Sequence, residues 1–84
     1  MRVEVLLFAS LRDELGAAFA LEVPESLPGK TTVGALREAF LAASPTAARL
    51  GKRTLVAVNE TFAGDTDPVC PGDTVAFLPP VAGG

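Results

Sequence analysis

The chain opens on strict alternation. Val3, Val5 and Leu7 fall on one side of an extended segment and Glu4, Leu6 and Phe8 on the other, which predicts a first strand with Val3, Val5 and Leu7 toward a core. Ser10-Leu-Arg-Asp13 has the form of a helix start, with Ser10 as N-cap and an acid three residues on. Leu11 and Leu15 then lie one turn apart, and Gly16 is placed to close the short helix in the left-handed conformation. Phe19, Leu21 and Val23 alternate again, giving a second strand, antiparallel to the first, that Pro24 ends. Pro24 to Lys30 is a loop by its turn residues, and Thr31 or Thr32 is set to cap a helix. There the period changes: Val33, Leu36 and Phe40, with Ala39 and Ala43, make one apolar face, while Arg37 and Glu38 fall on the exposed side. This main helix ends near Ser44, because Pro45 disfavours helical geometry in the residue before it.

Thr46 to Leu50 adds a short helical turn, and Leu55 to Val58 reads as a buried strand. Asn59-Glu60 turns the chain into a short segment at Thr61 to Ala63, and Gly64 to Gly72 is too punctuated for a long element. Pro71-Gly72-Asp73 signals a tight turn before a last strand, Thr74 to Leu78, which Pro79-Pro80 stops because proline cannot donate to a ladder. The order predicts an α+β domain over 1–78, one main helix packed across a mixed sheet, with 79–84 as a flexible tail. Val75 and Phe77 share one parity and belong to the core, leaving Thr74, Ala76 and Leu78 on the open face. With Phe8 outward in the first strand and Phe62 in a short segment, Phe8, Phe62 and Leu78 form an expected exposed apolar patch.

Composition narrows the chemistry. At 84 residues there is room for one modest core, and 49% hydrophobic with 20% charged residues is globular rather than disordered. The apolar runs fall far short of a bilayer span, and the opening residues read as a strand rather than a signal peptide, so a cytoplasmic home without membrane contact is expected. The net charge of −3 and the scattered basic residues speak against nucleic acid. No His and one Cys leave no familiar zinc site and no Ser-His or Cys-His nucleophile pair. Cys70 has no positive neighbour in sequence to lower its pKa and reads as a spectator. Asp65 and Asp67 lack the further oxygen ligands of a calcium loop, and Arg12, Lys52 and Arg53 read as solvated charges. What remains is the ending. Six residues from Pro79 to Gly84 reach roughly 20 Å when extended, and Gly83 and Gly84, lacking Cβ atoms, fit a narrow channel and leave the terminal carboxyl carbon unshielded.

The ending Val75-Ala-Phe-Leu-Pro-Pro-Val-Ala-Gly-Gly84, the opening Val5-Leu-Leu-Phe-Ala-Ser-Leu-Arg-Asp13 and the mid-chain Ala57-Val-Asn-Glu-Thr61 resemble the small subunits of molybdopterin synthase, the MoaD type of ubiquitin-like sulfur carrier. The resemblance covers nearly the whole chain and implies a β-grasp fold, with the last strand beside and parallel to the first. It also implies a mechanism in which the protein is a reagent. A MoeB-type enzyme, using ATP and magnesium, adenylates the Gly84 carboxylate, and a sulfur donor converts it to a thiocarboxylate. The tail, Pro79, Pro80, Val81, Ala82 and Gly83, then enters the large subunit, where Gly84 gives sulfur to a pterin precursor, precursor Z. The implied assembly is a heterotetramer of two small and two large subunits, with Phe8, Phe62 and Leu78 at the partner interface and no bound cofactor or metal. Catalytic acids and bases are expected in the large subunit. The rival readings are a sulfur carrier for thiamine, tRNA thiolation or cysteine synthesis, and a modifier joined to lysines of target proteins.

Overall fold

The alternation of Val3, Val5 and Leu7 with Arg2, Glu4 and Leu6 makes Arg2–Leu7 a strand, β1, whose burial follows its parity along the whole length. The structure, a computed structural model, describes residues 1–50 and 53–79. On one side β1 pairs antiparallel with β2 (Ala18–Glu22), and on the other it pairs parallel with the last strand, β7 (Val75–Leu78). Here β4 (Leu55–Val58) lies antiparallel to β7, and β5 (Thr61–Phe62) antiparallel to β4. The five-stranded order β2-β1-β7-β4-β5 puts the C-terminal strand at the centre of the sheet, beside and parallel to the N-terminal one as the resemblance implied.

One face of that sheet is covered by α2 (Val33–Ala43), whose Val33, Leu36 and Phe40 are fully buried. The Phe40 ring lies 4.6 Å from that of Phe77 on β7 and 5.6 Å, edge to face, from that of Phe19 on β2. Thr32 caps this helix, its hydroxyl accepting from the Ala35 N–H at 3.2 Å. The first two helical N–H groups, of Val33 and Gly34, donate to the carbonyls of Asp67 and Asp65 at 3.0 and 2.9 Å. Gly34 is needed there: a Cβ would lie 3.1 Å from the Asp65 carbonyl oxygen. The end comes at Ser44, before Pro45, and Ser44 also starts α3 (Pro45–Leu50) by accepting the Ala47 N–H on its hydroxyl.

Elsewhere local pattern gave way to context. The short helix α1 is Ala9–Leu15, with Phe8 rather than Ser10 at its N-cap and no side chain capping it. The Phe8 N–H still bonds the Phe77 carbonyl at 3.3 Å, which holds the chain extended to Phe8 and forces the break onto Ala9, at φ 51°; Ser10 is already inside the first turn. Gly16 has the positive φ expected, 92°, but ψ is 178°, so it ends the helix outside the left-handed helical region. Arg37, expected in solvent, is buried: its Nε donates to the Thr54 carbonyl at 3.3 Å and its Nη1 to the Asp65 carboxylate. The loop that covers the N-terminus of α2 brings Asp65 there, a contact no helical period encodes. Ala43, placed on the apolar face, is exposed where α2 runs out into Ser44. In β4 only Val56 is fully buried, and Val58, at the strand's end, is half-buried. The threonines expected only to cap α2 and the punctuated Gly64 to Gly72 stretch pair as a small second sheet, β3 (Thr31–Thr32) against β6 (Pro68–Val69); two-residue strands are too short to show a period.

Candidate docking site

Pairing across the uncovered face of the sheet builds a trough from ordinary residues. Leu6 on β1 sits opposite Ala76 on β7, Ala76 opposite Ala57 on β4, and Ala57 opposite Phe62 on β5. Cross-strand partners share a face, so these four side chains form one row, large at the ends and small in the middle. One step further along, Leu55 pairs with Leu78, and Phe8 follows β1 with the same outward parity as Leu6. The two alanines make a floor, and Leu6, Phe8, Phe62 and Leu78 make walls, around a concavity of about 280 Å³. Phe62 is 69% exposed, Phe8 41% and Leu6 38%. The structure therefore brings Phe8, Phe62 and Leu78 around one depression, and adds Leu6, Ala57, Ala76, Glu60 and Thr74 to its lining. Parity alone placed Leu6 and Ala76 on this face. Ala57 and Glu60 needed the register between β4 and its neighbours.

The polar rim is fixed by its own hydrogen bonds. Asn59 and Glu60 form a two-residue turn between β4 and β5, both at positive φ, 52° and 69°. The Asn59 backbone donates to the Thr74 carbonyl at 2.8 Å, its side-chain carbonyl accepts the Thr74 N–H at 3.0 Å, and its amide donates to Asp73 at 3.2 Å. Asp73 also accepts the Cys70 N–H at 2.8 Å, closing the turn in which Gly72, at φ 89°, follows Pro71. The Cys70 N–H and the Asn59 amide both favour the ionised form and hold the Asp73 carboxyl below its usual value.

Pro79 follows Leu78 at the edge of the depression and is half-buried. The other tail residues singled out in the sequence, Pro80, Val81, Ala82, Gly83 and Gly84, lie outside the described residues, as does Lys52. Among the described residues no three His, Cys, Asp or Glu side chains gather as a metal site, and no helix is long and apolar enough to cross a membrane. Cys70 is a free, half-buried thiol outside the depression's lining.

A mixed sheet with its C-terminal strand parallel to its N-terminal one, a helix across one face and an apolar depression on the other, defines a ubiquitin-like β-grasp protein. Within that class, the chain belongs to the ThiS family, which it matches over residues 5–84. It is 40% identical to the molybdopterin synthase sulfur carrier subunit of Escherichia coli K12, across 98% of this chain and 99% of that one. Among solved structures it is similar to SAMP1 of Haloferax volcanii, with 28% identity, a TM-score of 0.73 and full coverage of both chains. It is also similar to a chain in the complex of subunits 1 and 2 of the molybdopterin-converting factor of Helicobacter pylori, at 25% identity and a TM-score of 0.65, again across both chains. It is therefore a sulfur-carrier homologue of the molybdopterin synthase small subunit.

Proposed function

We propose that this chain is the sulfur-donating small subunit of a molybdopterin synthase, and that its open face docks the large subunit and a MoeB-type activating enzyme in turn. The observation that carries the reading is the course of β7. That strand runs through the sheet's centre beneath the apolar depression and ends at Leu78 on its wall, so the tail starts from the docking surface itself. A partner seated on the depression receives the chain's last residues. The 40% identity to the E. coli carrier subunit supports this reading, and the Helicobacter pylori complex supports a large-subunit partner.

The Gly84 carboxylate attacks the α-phosphorus of magnesium-bound ATP, pyrophosphate leaves, and a glycyl adenylate forms. A sulfide-level nucleophile then adds to the carbonyl carbon and AMP departs, leaving a thiocarboxylate. Gly83 and Gly84 present no Cβ to hinder either approach. In the large subunit the sulfur passes to the pterin precursor and water restores the carboxylate. The acids and bases of that step belong to the large subunit in this reading, and the assembly is two small and two large subunits. A second reading, a protein modifier joined to target lysines, draws support from the likeness to SAMP1.

The test adds one residue after Gly84. With the activating enzyme, ATP and sulfide, the parent should exchange one oxygen for one sulfur at its C-terminal peptide, read by intact mass, and the extended chain should not. A parent that takes up no sulfur, or takes it up at Cys70, overturns the proposal. Conjugates on other proteins would favour the modifier reading.

A further inference from the structure

Glu60 stands where its residue type is a poor choice. In a two-residue hairpin turn with both central residues at positive φ, the second position strongly prefers glycine, because a Cβ crowds the backbone there. Asn59 explains its own place, since Asn tolerates this region and its side chain binds Thr74 and Asp73. No such local bond explains Glu60: among the described residues its carboxylate makes no hydrogen bond and no ion pair. A residue that costs the turn stability and gives nothing back to the fold suggests a role outside it. Its position supplies one. Among the described residues, Glu60 is the one charged side chain lining the apolar depression, whose other walls are Leu6, Phe8, Phe62 and Leu78.

We propose that Glu60 is a specificity-determining residue of the docking surface, and that it selects a protein partner whose apolar projection into the depression is flanked by a lysine or arginine. This rests on the reading of the open face as the docking surface. A carboxylate on the rim of an apolar contact contributes to encounter rate and partner choice, and it repels a partner with an acidic flank. The docking pair is thus an apolar knob in an apolar trough, oriented by one ion pair at the β4–β5 turn.

The experiment measures binding of the full chain to the synthase large subunit by stopped-flow and calorimetry, at low and high salt, for Glu60→Gly, Glu60→Gln, Glu60→Lys and, as control, Phe62→Lys. Glu60→Gly should raise the thermal midpoint by about 4 °C, because the strain is relieved. It should nevertheless bind about 2- to 5-fold more weakly at low salt, with most of the difference gone at high salt. Glu60→Gln should match it in binding, and Glu60→Lys should lose about 10-fold, chiefly in association rate. Weaker binding in a more stable protein separates docking from folding. If Phe62→Lys weakens binding while all three Glu60 variants bind like the parent, the docking surface stands and the role of Glu60 is overturned. If Phe62→Lys also binds like the parent, the docking surface itself is wrong, and the Glu60 proposal falls with it. A salt-independent loss at Glu60 would also overturn the ion pair.

Discussion

Arg37 shows how much one side chain depends on what is folded over it. Its guanidinium ties three segments together: α2, the Thr54 carbonyl ahead of β4, and Asp65 in the loop before β6. The Asp65 side chain is 60% exposed, so solvent screens the ion pair and leaves it contributing less than about 1 kcal/mol. The hydrogen bond to Thr54 and the buried aliphatic stem contribute about as much again. Arg37→Ala should therefore lower stability by about 1 to 2 kcal/mol, and Arg37→Met, which keeps the stem, by less. Urea unfolding should show both as a lower midpoint at an unchanged slope. Helical spacing assigned Arg37 to solvent because period counts only neighbours within the helix. Thr54 and Asp65 are 17 and 28 residues away in sequence.

At the scale of elements, the β4–β5 turn and the turn before β7 hold each other through Asp73. Its carboxylate is stabilised in the folded protein by the Cys70 N–H and the Asn59 amide, so its folded pKa lies below the unfolded value. A group with a depressed pKa stabilises fully above its unfolded pKa, and that contribution is lost as pH falls through the folded value. Asp73→Asn should thus lower the thermal midpoint at neutral pH. The gap between parent and variant should narrow below about pH 4 and close in stronger acid. A calorimetric series from pH 7 to pH 2 checks this. A constant gap would mean that the hydrogen-bond geometry matters and the charge does not. Each of the two turns was recognisable from Asn59-Glu60 and Pro71-Gly72, whereas the clamp between them exists because β4 and β7 are neighbours.

For the whole molecule, β7 is both the middle of the core and the floor of the apolar depression proposed for docking, and its alternation separates the two faces residue by residue. Phe77 is fully buried between β1 and β4 and against Phe40, and Leu78, its neighbour, faces the depression. Phe77→Ala should cost about 3 to 5 kcal/mol, a large share of the stability of a domain this small. Leu78→Ala should leave the thermal midpoint within a few degrees of the parent while weakening large-subunit binding roughly 10-fold. Circular dichroism melts and calorimetry on both variants would check the division. Unfolding of the Leu78 variant would show that the depression is part of the core.

The sequence by itself determined whatever depends on near neighbours. Period-2 runs settled which residues of β1, β2 and β7 are buried, period 3.6 settled Val33, Leu36 and Phe40, and proline, glycine and asparagine set most boundaries. Motifs at the two ends were enough to indicate the family, because the ending and the opening strand are distinctive as strings of residues. Tertiary structure decided what depends on residues far apart. It moved the start of α1 to Ala9 by pairing Phe8 with Phe77, buried Arg37 under a loop, and made a second sheet from two strands of two residues each. It also aligned Leu6, Ala76, Ala57 and Phe62 into one row and set Glu60 on the rim. The physical reason is register: side-chain direction repeats within a strand and can be counted along the chain, but which strands lie side by side is fixed only when the sheet closes over its core.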